Sequence, residues 1–193
     1  MHIPLTRRDF LKSSLLAATT LGLSPSVWAE GAAAPRLSVQ LYSVRDDCAK
    51  DLDAALAQLA KMGFVGMEFA GYHKYGGKPK ELRQRLDDLN LVAAATHVGT
   101  ASFRGDELQR TIDFHQIIGC KYLIVPGDGD FTNPEKSKTL AETFNKTAGV
   151  LKPLGMYCGY HNHTGEFKKD GAKTYWQLFA ERTSPDVVLQ QDC

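Results

Sequence analysis

Apolar positions along this chain alternate between two spacings, a period of two over short runs and a period near 3.6 over longer ones. Residues 37–44 are rich in β-branched and aliphatic side chains and read as a strand. Residues 51–62 follow, with Leu52, Ala55, Leu56 and Leu59 on one helical face and Gly63 at the stop. The same pair of patterns recurs. A strand over 64–70 leads to a helix over 80–89 carrying Leu82, Leu86 and Leu89, and a strand over 91–98 leads to a helix over 106–118 that ends at Gly119. A strand over 122–126 leads to a helix over 133–154, where Asn133 is the cap and Pro134 takes the first helical position. A strand over 156–163 leads to a helix over 174–182, and residues 187–192 form a sixth strand.

Strands and helices alternating at roughly 30-residue intervals build right-handed βαβ units and a parallel sheet. Two architectures fit that order, a doubly wound sheet and a closed barrel. No Gly-x-Gly-x-x-Gly follows the first strand, where Gln40, Tyr42 and Arg45 stand instead, so a dinucleotide-binding half is disfavoured. Polar side chains close nearly every strand: Glu68, His97, His161, His163 and Asp192. In a (β/α)8 TIM barrel those ends share one mouth, where catalytic groups sit. The expectation is an α/β fold of TIM-barrel type that is incomplete, with six strands and five helices of the eight units.

Residues 1–29 have a different character. Thr6-Arg7-Arg8 with Phe10-Leu11-Lys12, a short apolar run and Ala29 resemble a twin-arginine export signal with its cleavage site. The apolar run falls short of the ~20 residues needed to span a bilayer. The expectation is export to the periplasm without a permanent membrane anchor, a flexible lead over 30–36 and the partial barrel over 37–193. Taking off residues 1–29 removes Arg7, Arg8, Lys12 and Asp9, which moves the formal charge from +1 to −1. No basic surplus is left for a phosphate backbone, which argues against a nucleic-acid partner. Cys48, Cys120, Cys158 and Cys193 lie far apart with no Cys-x-x-Cys pair, so neither a zinc knuckle nor a disulfide scaffold is expected.

The chemistry is sought at the strand ends. Period-two alternation puts Tyr157, Gly159, His161 and His163 on one face of the fifth strand, and Val188, Gln190 and Asp192 on one face of the sixth. If both faces point into a barrel, two imidazoles and a carboxylate meet there, and Glu166 in the following loop can add a second carboxylate. Mixed His and carboxylate donors suit divalent Mn, Zn, Co or Fe. Each residue alone is weak: a single Glu68 or His97 at a strand end is as often a hydrogen-bonded scaffold residue.

Taken together, Gln40-Leu41-Tyr42-Ser43-Val44-Arg45, Gly63-Phe64-Val65-Gly66-Met67-Glu68, Thr96-His97, Tyr160-His161-Asn162-His163 and Asp192 resemble the xylose isomerase-like TIM barrels described as sugar phosphate isomerases/epimerases. The resemblance covers residues 37–193. It implies one divalent metal held at the ends of strands five to eight, usually by Glu, Asp, His and Glu. Asp192 matches the strand-six ligand and His161 stands nearest the strand-five position, with Glu166 a competing claimant. The strand-seven and strand-eight ligands have no counterpart in these residues. The roles so implied are metal binding for His161 and Asp192, proton transfer for Glu166 and His163, and substrate binding for Gln40, Tyr42, Glu68 and His97.

The implied reaction is metal-dependent isomerisation or epimerisation of a saccharide through an enediolate. Export favours an unphosphorylated saccharide. Two alternatives stand beside it: a keto-glycoside lyase or hydrolase on the same barrel, and a non-catalytic fragment with an open sheet edge that leaves homo-oligomerisation open.

Overall fold

Each strand–helix unit is delimited by local chemistry that the sequence announces. The computed structural model describes residues 36–192; the export-signal-like segment, nearly all of the lead and Cys193 lie outside the described residues. Strand β1 (Ser38–Gln40) is shorter than its apolar run predicts, because the Gln40 side chain accepts the Tyr42 N–H and turns the chain into a 3-10 helix over Leu41–Val44. A short helix α1 (Arg45–Lys50) follows, unforeseen because six mostly polar residues show no period. Helix α2 (Leu52–Lys61) begins where Asp51 Oδ1 accepts the Asp53 and Ala54 N–H groups at 3.0 and 3.2 Å.

Strand β2 (Gly66–Phe69) is buried along its whole length and precedes α3 (Pro79–Asp88). Strand β3 (Val92–His97) precedes α4 (Gly105–Ile118), whose C-cap Gly119 adopts φ 76°, the left-handed conformation glycine tolerates. Strand β4 (Tyr122–Val125) precedes α5 (Lys136–Leu151), which starts two residues beyond the first helical position expected at Pro134. Asn133 Oδ1 accepts from Glu135 and Lys136 N–H at 3.2 and 3.0 Å in the turn leading into it, and Glu135 takes the cap position. After β5 (Tyr157–His161) comes a small antiparallel ribbon, β6 (Lys169–Asp170) and β7 (Lys173–Thr174), too short to leave a period. A Thr174–Gln177 capping box then opens α6 (Tyr175–Arg182), and β8 (Val188–Gln190) is last.

The six long-range strands run parallel in the order β1-β2-β3-β4-β5-β8. Strictly sequential order, with no reversal point, separates a barrel arc from a doubly wound sheet. Curvature supplies the second argument. In a flat sheet β2 and β8, four spacings apart, would be separated by about 19 Å, yet Gln190 Nε2 donates to Glu68 Oε2 at 2.6 Å. The sheet therefore rolls until these strands face each other, an incomplete (β/α)8 barrel.

Alternation sorts the side chains between two faces of this arc. Met67, Phe69 and Ala93 point outward to a core with Leu52, Leu56, Leu82, Leu86 and Ile118. Leu123, Val125, Cys158 and Tyr160 point outward to a second core with Ile112, Phe131, Leu140, Phe144 and Phe179. The residues between them face inward.

Candidate functional site

Inward residues at the carboxyl ends of the strands surround a cavity of about 800 Å³, within the size range of small-molecule sites. Gln40 ends β1, Glu68 lies in β2, His97 ends β3, Pro126 follows β4, His161 ends β5 and Gln190 ends β8, and all line it. Between β2 and β3 the register slips, with Met67 opposite Ala93 but Glu68 opposite Ala95. The slip brings both Ala94 and His97 to the cavity, where strict alternation would have separated them.

A hydrogen-bonded chain links these ends. Gln40 Nε2 lies 3.1 Å from His97 Nδ1, and His97 Nε2 lies 2.8 Å from Glu68 Oε1, a contact off the ideal hydrogen-bonding direction. Glu68 Oε2 accepts from Gln190, and Gln190 Oε1 lies 3.0 Å from His161 Nδ1. On its other side His161 Nε2 is 3.7 Å from Asp192 Oδ2. The His161 ring sits 5.3 Å from that of His97 and 4.9 Å from that of His163. Burial opposes ionisation of Glu68, but hydrogen bonds from His97 and Gln190 and the imidazoles of His97 and His161 outweigh it and hold its pKa below the usual carboxylate value.

The candidates named from sequence separate here. Gln40, Tyr42, Glu68, His97, His161, His163 and Asp192 all line the cavity. Glu166 does not. Its carboxylate is buried, accepting the His163 N–H at 2.8 Å and the Tyr160 hydroxyl at 3.4 Å, so it locks the loop after β5. The acid–base role expected of it is not matched by this position, and the carboxylates that face the cavity are Glu68 and Asp192. The reason is local: Glu166 sits in a 3-10 turn over Gly165–Phe167 that swings its side chain back toward the strand.

Two residues with no role assigned from sequence hold the site together. Gln190 bridges Glu68 and His161, and the alternation of β8 had already placed it on the inward face. Asn162, buried between the two histidines, accepts from Asp192 N–H at 2.9 Å and donates to Asp192 O at 3.2 Å, pinning the chain beyond β8. An Asn flanked by histidines was the only signal it gave.

The expected metal finds two donors and not three. His161 and Asp192 converge, but among the described residues no group of three or more His, Cys, Asp or Glu side chains is placed to hold a metal ion. The described residues do not by themselves complete the ligand set. Cys48, Cys120 and Cys158 are free and buried, and burial pushes the thiols of Cys120 and Cys158 up to about 12, which leaves them inert packing residues. No helix among the described residues is long and apolar enough to cross a membrane.

No family model matches this chain. An inosose dehydratase of Clostridium perfringens is 27% identical over 134 residues, which cover 58% of this chain and 44% of the relative. The chain thus spans less than half the length of the curated relatives it matches. Two crystal structures of sugar phosphate isomerases/epimerases from Parabacteroides distasonis superpose with TM-scores of 0.72 and 0.68 at 24% and 26% identity. They cover 85% and 82% of this chain, and 70% and 69% of their own. The described fold is accordingly a six-stranded arc of the TIM barrel found in those isomerase/epimerase structures.

Proposed function

We propose that the cavity is a saccharide site in which a proton is removed from the carbon beside a carbonyl. The observation that carries this reading is the convergence of Gln40, Glu68, His97, His161, His163 and Gln190 from five strands on one cavity. Amides and carboxylates suit sugar hydroxyls, which both donate and accept. No Lys or Arg is among the described cavity residues, which supports an unphosphorylated substrate, as does the twin-arginine-like leader with its implied periplasmic destination.

Of the imidazoles at the mouth, His163 is the one whose ring makes no hydrogen bond to a described residue, and we assign it the proton-accepting role. Glu68 and Gln40 orient hydroxyls, and exposed Tyr42, backed by the Arg45 guanidinium 4.6 Å from its ring centroid, offers a flat surface at the rim. Return of the proton to the neighbouring carbon or the opposite face gives isomerisation or epimerisation. Loss of a hydroxyl one carbon further on gives dehydration instead. The likeness to inosose dehydratases favours this second outcome, and the isomerase/epimerase structures favour the first. A divalent metal enters the proposal as a variable to be tested, since only two of its donors are in place.

The test is proton exchange. The full chain, with and without added Mn, Zn, Co or Fe, is incubated in deuterated water with free ketoses and ketocyclitols. Proton NMR should show loss of the signal beside the carbonyl, and His163→Gln should abolish that loss. Mass analysis for lost water separates dehydration from isomerisation. Absence of exchange across the panel under every metal condition would overturn the reading.

A further inference from the structure

The two acceptor and donor ends of Gln190 face different partners, and chemistry decides which end faces which. An ionised Glu68 only accepts hydrogen bonds. The group presented to its Oε2 at 2.6 Å must therefore be the Gln190 amide NH2. That leaves the Gln190 carbonyl oxygen toward His161 Nδ1 at 3.0 Å, and a carbonyl oxygen only accepts. A proton must then reside on Nδ1. In a neutral imidazole the other nitrogen, Nε2, is left as a bare acceptor. It lies 3.7 Å from the carboxylate of Asp192.

We propose that Gln190 is a positioning residue that relays the carboxylate of Glu68 to His161 and holds that imidazole in its Nδ1–H tautomer, with the Nε2 lone pair turned to the cavity. Glu68, 122 residues from Gln190 along the chain, thus dictates the proton position at the end of β5. Two acceptors, Nε2 and the Asp192 carboxylate, then stand ready for a donor lying between them, such as a hydroxyl of the substrate. That last consequence rests on the saccharide reading above, whereas the tautomer does not.

His97 follows the same logic from the other side. If Gln40 presents its NH2 to Nδ1 at 3.1 Å, the proton of His97 sits on Nε2, facing Glu68 Oε1. The two histidines flanking the cavity would carry opposite tautomers, both ordered by one carboxylate.

Long-range proton–nitrogen correlation NMR on the full chain labelled with nitrogen-15 at histidine, without substrate and at neutral pH, reads the tautomer directly. His161 is assigned by the signal lost in His161→Gln. The expected wild-type pattern is a protonated Nδ1 and an unprotonated Nε2. Gln190→Met, similar in length but without the amide, should release His161 into a mixture of tautomers. Glu68→Gln, which never touches His161, should do the same, because an amide at position 68 lets Gln190 turn either way round. A role for Gln190 in packing alone would leave the pattern unchanged in the folded Glu68→Gln protein. A protonated Nε2 in the wild type, whether as the other tautomer or as imidazolium, overturns the proposal, and so does persistence of the Nδ1–H form in both variants. Failure of the exchange assay with an intact tautomer pattern would instead count against the saccharide reading alone.

Discussion

Thr96 and His97 are neighbours on β3, yet they serve opposite faces of the sheet. On the convex face Thr96 Oγ1 and His115 Nε2 sit 2.7 and 2.8 Å from one Tyr72 hydroxyl, and His115 Nδ1 lies 2.6 Å from the Thr111 carbonyl. Every polar atom of that trio faces another scaffold atom, and aromatic rings of Phe69 and Phe114 pack around it. On the concave face His97 meets Glu68 with an imperfect contact angle, His161 Nε2 stands 3.7 Å from Asp192, and the exposed His163 ring makes no hydrogen bond to a described residue. A histidine by itself therefore says little. What distinguishes a structural histidine from a candidate site is whether the fold has already consumed its hydrogen-bonding capacity.

The widest separation between the faces should come from paired truncations. Phe179→Ala removes a fully buried ring packed 4.7 Å from Phe131 and 5.3 Å from Phe144, and should cost about 3–5 kcal/mol in urea unfolding. His163→Gln, on an exposed side chain, should shift stability by no more than about 0.5 kcal/mol while lowering deuterium exchange by at least ~10²-fold. Equal losses of stability in the two variants would erase the distinction between the two faces.

A smaller effect should mark the seam where the arc takes its last strand. Gly159 lies opposite Val188, and an added Cβ would collide with the Val188 carbonyl oxygen and come 2.9 Å from Ile124 Cδ1. Gly159→Ala should therefore cost about 1–3 kcal/mol, and hydrogen exchange should show faster opening of β8 than of β2. Uniform exchange across the sheet would mean that the seam absorbs the methyl group.

The subtlest difference is in acid. Burial lowers the His115 pKa from 6.5, only partly opposed by its bond to the Thr111 carbonyl. A depressed folded value means that its contribution is complete above pH 6.5 and is lost as pH falls through the folded value. His115→Gln should thus flatten the decline of stability as pH falls below 6.5, and leave exchange activity unchanged. The contribution of Glu68, likewise held below its ordinary 4.5, begins to be lost only below that value, so the decline on the concave face starts at lower pH than on the convex one. Urea midpoints across the range check both.

Much of this architecture was legible beforehand for local reasons. The helix starts near residues 51 and 174 and the stop at Gly119 depend on atoms within a few residues, and the inward set His161 and Gln190 follows from alternation alone. The 3-10 turn after Gln40, helix α1 and the β6–β7 ribbon were not, since they are too short to impose a period. The register slip at Met67 and Glu68 was equally silent, because only pairing with β3 reveals it.

The carboxylates mark the boundary between the two kinds of knowledge. Sequence determined that Glu68, Glu166 and Asp192 lie at or just beyond strand ends, because the hydrophobic period is a property of the chain itself. Only tertiary structure decided that Glu166 turns back to the His163 N–H and the Tyr160 hydroxyl while Glu68 meets Gln190 across the cavity. The first choice is made by a loop folding onto its own strand and the second by the curvature of the whole sheet. Neither is encoded in the spacing of residues, since the first depends on the backbone path of the turn and the second exists only once the strands have rolled together.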